Sequence, residues 1–234
     1  MNFNKELANR FVEAISDVPP EKFGVVDDTD EPICLYDIED AITKVDPDAY
    51  VRFGATKLVI ISRNLQGVVL KIPFRGRWFP TAVYYEEEDW DFDEAFEFEP
   101  FGCEDYCLEE LNRYIKLKEK DFAMFFSETE KLCERSSIGT VIVQEETIAK
   151  AHTVLRYRAS EKASRLSAKM KTPMDSLWVA LCIDEYGEDL VKDFFAYCRN
   201  EDEDDLLSDC HWGNYGYRKK DRSPCILDFS GYRE

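Results

Sequence analysis

Two short stretches near the end of the sequence hold residue types suited to phosphate chemistry. The first is Asp209-Cys210-His211-Trp212-Gly213-Asn214. The second, Asp228-Phe229-Ser230-Gly231, begins fourteen residues after Asn214. Phosphoryl transfer needs a carboxylate that orients the attacking hydroxyl or takes its proton. It also needs oxygen ligands for Mg²⁺, which prefers a carboxylate and a few neutral oxygens while keeping waters. A loop Asp and Asn five residues apart, with another Asp closing a hairpin, can converge on one metal–phosphate centre. Tyr215–Arg218 and Pro224–Leu227 read as that hairpin. His211 is expected to shape the loop by hydrogen bonding, and Trp212 to pack or to line a substrate wall.

The first stretch resembles the D-x-H-x-x-N catalytic loop of the aminoglycoside phosphotransferase and small-molecule kinase branch of the protein-kinase-like superfamily. Asp228-Phe229-Ser230-Gly231 resembles its D-F-G metal motif with one residue inserted. The resemblance implies Asp209 as catalytic base and Asn214 and Asp228 as metal ligands, with ATP and Mg²⁺ as cofactors. It also implies a phosphate-binding lysine on a strand of an N-terminal lobe. Val68-Val69-Leu70-Lys71-Ile72 offers Lys71, which needs an anionic partner if it is buried among those neighbours. The following helix should supply a glutamate to pair with it. Glu109 and Glu110 both stand there, and Glu110 lies toward the more apolar side. The run 138–143 leads into Gln144-Glu145-Glu146, where the family's hinge binds adenine through backbone groups, so Glu145 and Glu146 mark the expected cofactor-binding segment. The phosphate-covering loop falls within Arg52–Val59, with Gly54 its one glycine.

The sequence departs from the family at that loop, which should be glycine-rich so that backbone donors can approach a phosphate. It departs again at Leu207, where a histidine usually braces the catalytic loop. It also ends at Tyr232-Arg233-Glu234, directly after the metal motif. The family's activation segment and peptide-holding helices are therefore expected to be missing, with no control by activation-loop phosphorylation. A partner is expected to supply the substrate platform, as in minimal kinases of pathogens and viruses, which this architecture resembles. A phage or viral source, and a host cytoplasm, fit that likeness.

The elements that must position these residues read as follows. Phe3, Leu7, Phe11, Ala14 and Ile15 fall at helical spacing over 3–16, and Pro19-Pro20 ends the helix. A second short helix is expected over 33–45. Strands are expected over 50–62 and 67–74, joined by a turn at 63–66. A helix is expected over 104–126, a buried strand over 138–143, and helices over 147–170 and 175–199. The acidic and aromatic residues of 84–101 read as a solvated loop, with a docking surface for a basic partner as the functional alternative. The fold class is α+β. The resemblance makes it a two-lobed protein-kinase-like fold: a helical extension over 1–49, an antiparallel-sheet N-lobe over 50–146 with the acidic insertion 84–101, and a small, mostly helical C-lobe over 147–234.

The chain has 234 residues, 44% hydrophobic and 14% aromatic, enough to bury a core. Its net charge of −19 disfavours nucleic acid and anionic lipid and favours basic protein partners. None of the eight cysteines forms a C-x-x-C pair, and a zinc site on Cys103 and Cys107 lacks a second ligand pair. No apolar run reaches membrane-spanning length and the N-terminus lacks a signal core, so a reduced cytoplasmic setting is expected. These observations favour an ATP- and Mg²⁺-dependent phosphotransferase, a minimal protein kinase acting on a protein hydroxyl, with a small-molecule kinase as its near relative. The alternative is a nucleotide-binding or inactive pseudokinase acting as an acidic partner-binding or inhibitor protein. The glycine-poor loop, the short C-lobe and the charge support that alternative.

Overall fold

Strands whose apolar residues run without interruption are buried on both faces, and two such strands organise the first half of this chain. In the computed structural model they are β4 (Val68–Pro73) and β8 (Gly139–Glu145), each buried at every position. The structure describes residues 1–19, 23–26, 35–54, 56–80, 96–101, 105–150, 157–172, 174–200, 211 and 213–229. They fall into two units, one holding Met1–Leu111 with Thr129–Gln144, the other Asn112–Glu128 with Glu145–Glu234. The architecture is α+β, with antiparallel pairing predominant.

In the first unit a five-stranded sheet runs in the order β2-β3-β4-β8-β7. Its remaining strands are β2 (Tyr50–Phe53), β3 (Lys57–Ile61) and β7 (Thr129–Arg135). The pairs β2–β3, β3–β4 and β7–β8 are antiparallel. Because side chains alternate along a strand, register assigns each residue to a face. Leu58 lies opposite Ile72 and Ile60 opposite Leu70 on one face, while Val59 lies opposite Lys71 on the other. The apolar face joins one cluster with Val141, Val143 and the helices α1 (Lys5–Ile15) and α2 (Leu35–Val45). Asn4 caps α1 by accepting the Leu7 N–H, and Leu7, Phe11 and Ile15 repeat once per turn into the cluster. Fully burying a side chain such as Phe11 contributes about 2 kcal/mol. The other face meets α3 (Tyr106–Glu119), whose Cys107 and Leu111 pack on Ile142. A smaller mixed sheet adds β1 (Val25–Val26), β5 (Gly76–Pro80) and β6 (Phe96–Pro100) in the order β1-β5-β6.

The second unit carries a sheet in the order β11-β10-β9, from β9 (Thr147–Ala149), β10 (Tyr215–Arg218) and β11 (Pro224–Ile226), both pairs antiparallel. Its helices are α4 (Glu161–Ser167), α5 (Ser176–Tyr186) and α6 (Glu188–Asn200). The core is aromatic: Phe125 stacks on Phe194 with ring centroids 4.2 Å apart, and Trp178 donates its indole N–H to the Gly216 carbonyl at 3.0 Å. Gly216 is required by close approach, since a Cβ there would lie 2.0 Å from the Ile148 carbonyl oxygen on β9. No helix of the described residues is long and apolar enough to cross a membrane.

Several elements differ from the sequence expectation. The run 50–62 is two antiparallel strands, Tyr50–Phe53 and Lys57–Ile61, with the Gly54 N–H donating to the Lys57 carbonyl. The expected helix over 147–170 starts instead as β9, because Thr147-Ile148-Ala149 completes the ladder of β10, and within that range α4 opens at the Ser160 cap. The expected helix over 175–199 is broken at Gly187, whose φ of +91° no helix accommodates. The helix over 104–126 spans only Tyr106–Glu119. Strands β5, β6, β7 and β9 were not expected. β7 (sequence TEKLCER) presents a largely exposed, charged pattern and lacks the apolar run of a buried strand. Residues 81–95, with most of the acidic insertion, and 201–205 lie outside the described residues.

Candidate functional site

The polar layer of the first unit is built on the sheet face that carries Lys71. Lys57 on β3 and Lys71 on β4 are diagonal neighbours there, since Lys57 opposes Pro73 and Lys71 opposes Val59. Both meet Glu110 from α3. Lys71 Nζ donates to Glu110 Oε1 at 2.8 Å and Lys57 Nζ to Oε2 at 2.9 Å. Gln144 of β8 adds a third donor, its Nε2 lying 2.6 Å from Oε1 and 3.1 Å from the Thr129 hydroxyl. The lysine side chains are 4% and 6% exposed and Glu110 is 0% exposed. At that depth a lone carboxylate is too costly to leave ionised without partners, so three donors converge on it. Of the two glutamates weighed from sequence, Glu110 holds this position, while Glu109 is half-buried on the helix. Cys107, one turn earlier, is fully buried, and its burial pushes the thiol well above the ordinary range.

The second centre lies wholly in the second unit. The His211 carbonyl accepts the Asn214 N–H at 2.9 Å, and its Nδ1 accepts the Gly213 N–H at 2.9 Å. An accepting Nδ1 places the proton of neutral His211 on Nε2, and the ring shapes this turn while lying exposed. The Asn214 carbonyl in turn accepts the Leu227 and Asp228 N–H groups at 2.9 and 3.3 Å. Arg113 of α3 donates to the Phe229 carbonyl at 2.8 Å, and the Phe229 ring packs on Phe126 with centroids 4.8 Å apart. Asn214 and Asp228 are thereby held side by side along the backbone. Their side chains supply an amide oxygen and a carboxylate, a donor set that suits Mg²⁺ with phosphate and water completing the shell. Among the described residues no group of three or more His, Cys, Asp and Glu gathers to hold a metal ion. Asp209, Cys210, Trp212, Leu207, Ser230 and Gly231 lie outside the described residues.

The expected hinge residues use their side chains structurally. Glu145 pairs with Arg218 at 3.0 Å and Lys220 at 2.7 Å, and Glu146 with Lys219 at 2.7 Å. The Glu145 N–H donates to the Glu128 carbonyl, and the Glu146 carbonyl accepts the Lys219 N–H. Gly54 is exposed on the hairpin turn, where a Cβ would meet nothing within 4 Å. Sequence reasoning missed Lys57, Gln144, Arg113 and Arg218. The signal for Lys57 was present, since it opens the apolar run Leu58-Val59-Ile60-Ile61 much as Lys71 sits within its own.

Arg218 also donates to the Tyr186 hydroxyl at 2.9 Å. Burial pushes the Tyr186 phenol up to about 12, against the downward pull of the Arg218 guanidinium. Burial likewise holds Tyr217 above the tyrosine range. With the folded value raised above the unfolded one, this stabilisation is complete below about pH 10 and is lost as pH rises toward 12. Urea unfolding between pH 8 and 11 is expected to show falling stability with a slope that Tyr186→Phe reduces; an unchanged slope would remove Tyr186 as its source. Comparison of the chain with protein-family models, with curated proteins and with solved structures gives no match.

Proposed function

We propose that this protein is an ATP- and Mg²⁺-dependent phosphotransferase with a protein-kinase-like, two-lobed fold, a minimal kinase that phosphorylates a protein hydroxyl. The observation that carries the reading is the buried Lys71–Glu110 pair, in which a lysine from the third strand of an antiparallel sheet meets a glutamate from the helix that follows. A strand lysine and a helix glutamate paired in this way are needed to position nucleotide phosphates in protein kinases. The pair stands in chain order before Asp209, Asn214 and Asp228, as the resemblance requires.

Lys71 would engage the nucleotide phosphates, with Glu110 fixing its ammonium group. Asp209 would orient the acceptor hydroxyl and take its proton. Asn214 and Asp228 would hold Mg²⁺, which when bound neutralises charge developing on the transferred phosphoryl group. The His211–Gly213 and Arg113–Phe229 hydrogen bonds fix the backbone that presents those ligands. Holding oxygen ligands on a rigid backbone lowers the cost of ordering them when the nucleotide arrives.

The test is incubation of the full chain with labelled ATP, Mg²⁺ or Mn²⁺ and a cell lysate, beside Asp209→Ala. Transfer that disappears in the variant is expected; transfer that survives overturns Asp209 as the base. Thermal unfolding with Mg–ATP gives the second readout. Saturation at a hundredfold excess over Kd stabilises by about 2.7 kcal/mol, and Asp228→Ala is expected to lose most of that gain. A shift without transfer identifies a nucleotide-binding protein that does not catalyse. No shift and no transfer removes the reading.

A further inference from the structure

We infer that Lys57 is a second phosphate-binding lysine, acting with Lys71 on the polyphosphate of the nucleotide; the inference rests on the phosphotransferase reading above. Lys57 is the first residue of β3, the second strand of the β2–β3 hairpin. That hairpin is where the resemblance expects a glycine-rich cover, and it holds one glycine. Glycines there serve to bring backbone N–H donors close to a phosphate. An ammonium group delivered from the same hairpin supplies that attraction through charge instead.

The geometry supports the substitution of one device by the other. Register puts Lys57 and Lys71 on the same face, one diagonal step apart, and Glu110 anchors both through separate oxygens at 2.9 and 2.8 Å. The anchoring gives each long, flexible side chain a fixed direction, which reduces the ordering cost of binding an anion. Sharing one carboxylate between two ammonium groups also weakens what each gains from it, because the ammonium groups repel each other. Two ammonium groups held on one face by one residue form a locally cationic pair, a sound starting point for anion binding. A polyphosphate is the ligand chemistry this fits, since its charge is divided over several phosphates that two fixed cations can address together.

The test is equilibrium binding of adenosine, ADP and Mg–ATP to the full chain and to Lys57→Met, Lys57→Gln and Lys57→Arg. Lys57→Gln keeps an N–H donor for Glu110 while losing the charge, so it reports even where the methionine variant fails to fold. In the wild type ATP is expected to bind far more tightly than adenosine. Lys57→Met and Lys57→Gln are expected to weaken ATP about tenfold or more while leaving adenosine unchanged, the effect of losing one charge-assisted hydrogen bond. Lys57→Arg is expected to retain most of the ATP preference. In the transfer assay the KM for ATP should rise more than kcat falls. A folded Lys57→Gln protein that binds ATP as the wild type does overturns the inference and leaves the phosphotransferase reading standing. Equal losses for adenosine and ATP also overturn it, because they mark a general disturbance of the site. Wild-type protein that binds ATP no better than adenosine removes the phosphotransferase reading itself, and this inference with it.

Discussion

Glu110→Gln is expected to destabilise the protein by about 3–5 kcal/mol, the cost of removing the charged partner of buried ions. Both carboxylate oxygens of Glu110 accept, one from Lys57 and the other from Lys71 and Gln144. A glutamine must turn its NH₂ group toward one of those sets, and every member of each is a donor. The less costly orientation keeps the amide oxygen on Lys71 and Gln144 and sets NH₂ against Lys57. Adding Lys57→Met to Glu110→Gln is therefore expected to recover stability, with a coupling above about 1 kcal/mol in a double-mutant cycle. Lys57→Met alone leaves Glu110 paired with Lys71 and Gln144 through Oε1 but takes the lysine donor from Oε2, and should cost about 1–3 kcal/mol. Urea midpoints for the four proteins check all of this. A Glu110→Gln protein as stable as the wild type would show that Glu110 is not held as an ion, and additive single effects would remove the shared carboxylate.

Arg218→Met should be comparably severe, by about 3–5 kcal/mol. Arg218 is 8% exposed and spends every donor of its guanidinium within the second unit. Nε donates to Glu145 at 3.0 Å, and one terminal nitrogen reaches the carbonyls of Met124 and Phe126 at 2.8 and 2.7 Å. The other reaches the hydroxyls of Tyr186 and Ser223 at 2.9 Å and the Pro224 carbonyl at 3.4 Å. Methionine fills the volume but leaves Glu145 with Lys220 alone and strands these carbonyls, each orphaned acceptor costing about 1–3 kcal/mol. Arg218→Lys keeps the charge, yet three donors on one nitrogen cannot reproduce a planar fork with five, so it is expected to rescue only a minor part. Stability of Arg218→Lys within about 0.5 kcal/mol of the wild type would show that charge alone suffices.

The sequence made the local elements legible where one physical signal dominated. The helix period of Leu7, Phe11 and Ile15, and the apolar runs around Leu70 and Val141, located α1, β4 and β8 because burial imposes those patterns directly. It failed where pairing with a distant strand overrode local preference, as at Thr147-Ile148-Ala149, which joins a ladder with residues 216–218. The role of Arg218 was equally hidden, since its partners Met124, Phe126, Glu145 and Tyr186 are scattered along the chain.

The stretches Asp209–Asn214 and Asp228–Gly231 belong to the sequence itself, because residue type and short spacing are read without a fold. The sequence also showed that Lys71, set among Val, Leu and Ile, needs an anion if buried. Which glutamate answers it, and that Lys57 shares the same carboxylate, were decided by tertiary structure. Strand register chooses the face on which a side chain stands, and helix packing chooses the residue it meets. Both depend on contacts between residues 39 and 53 positions apart, which a local reading of the chain does not see.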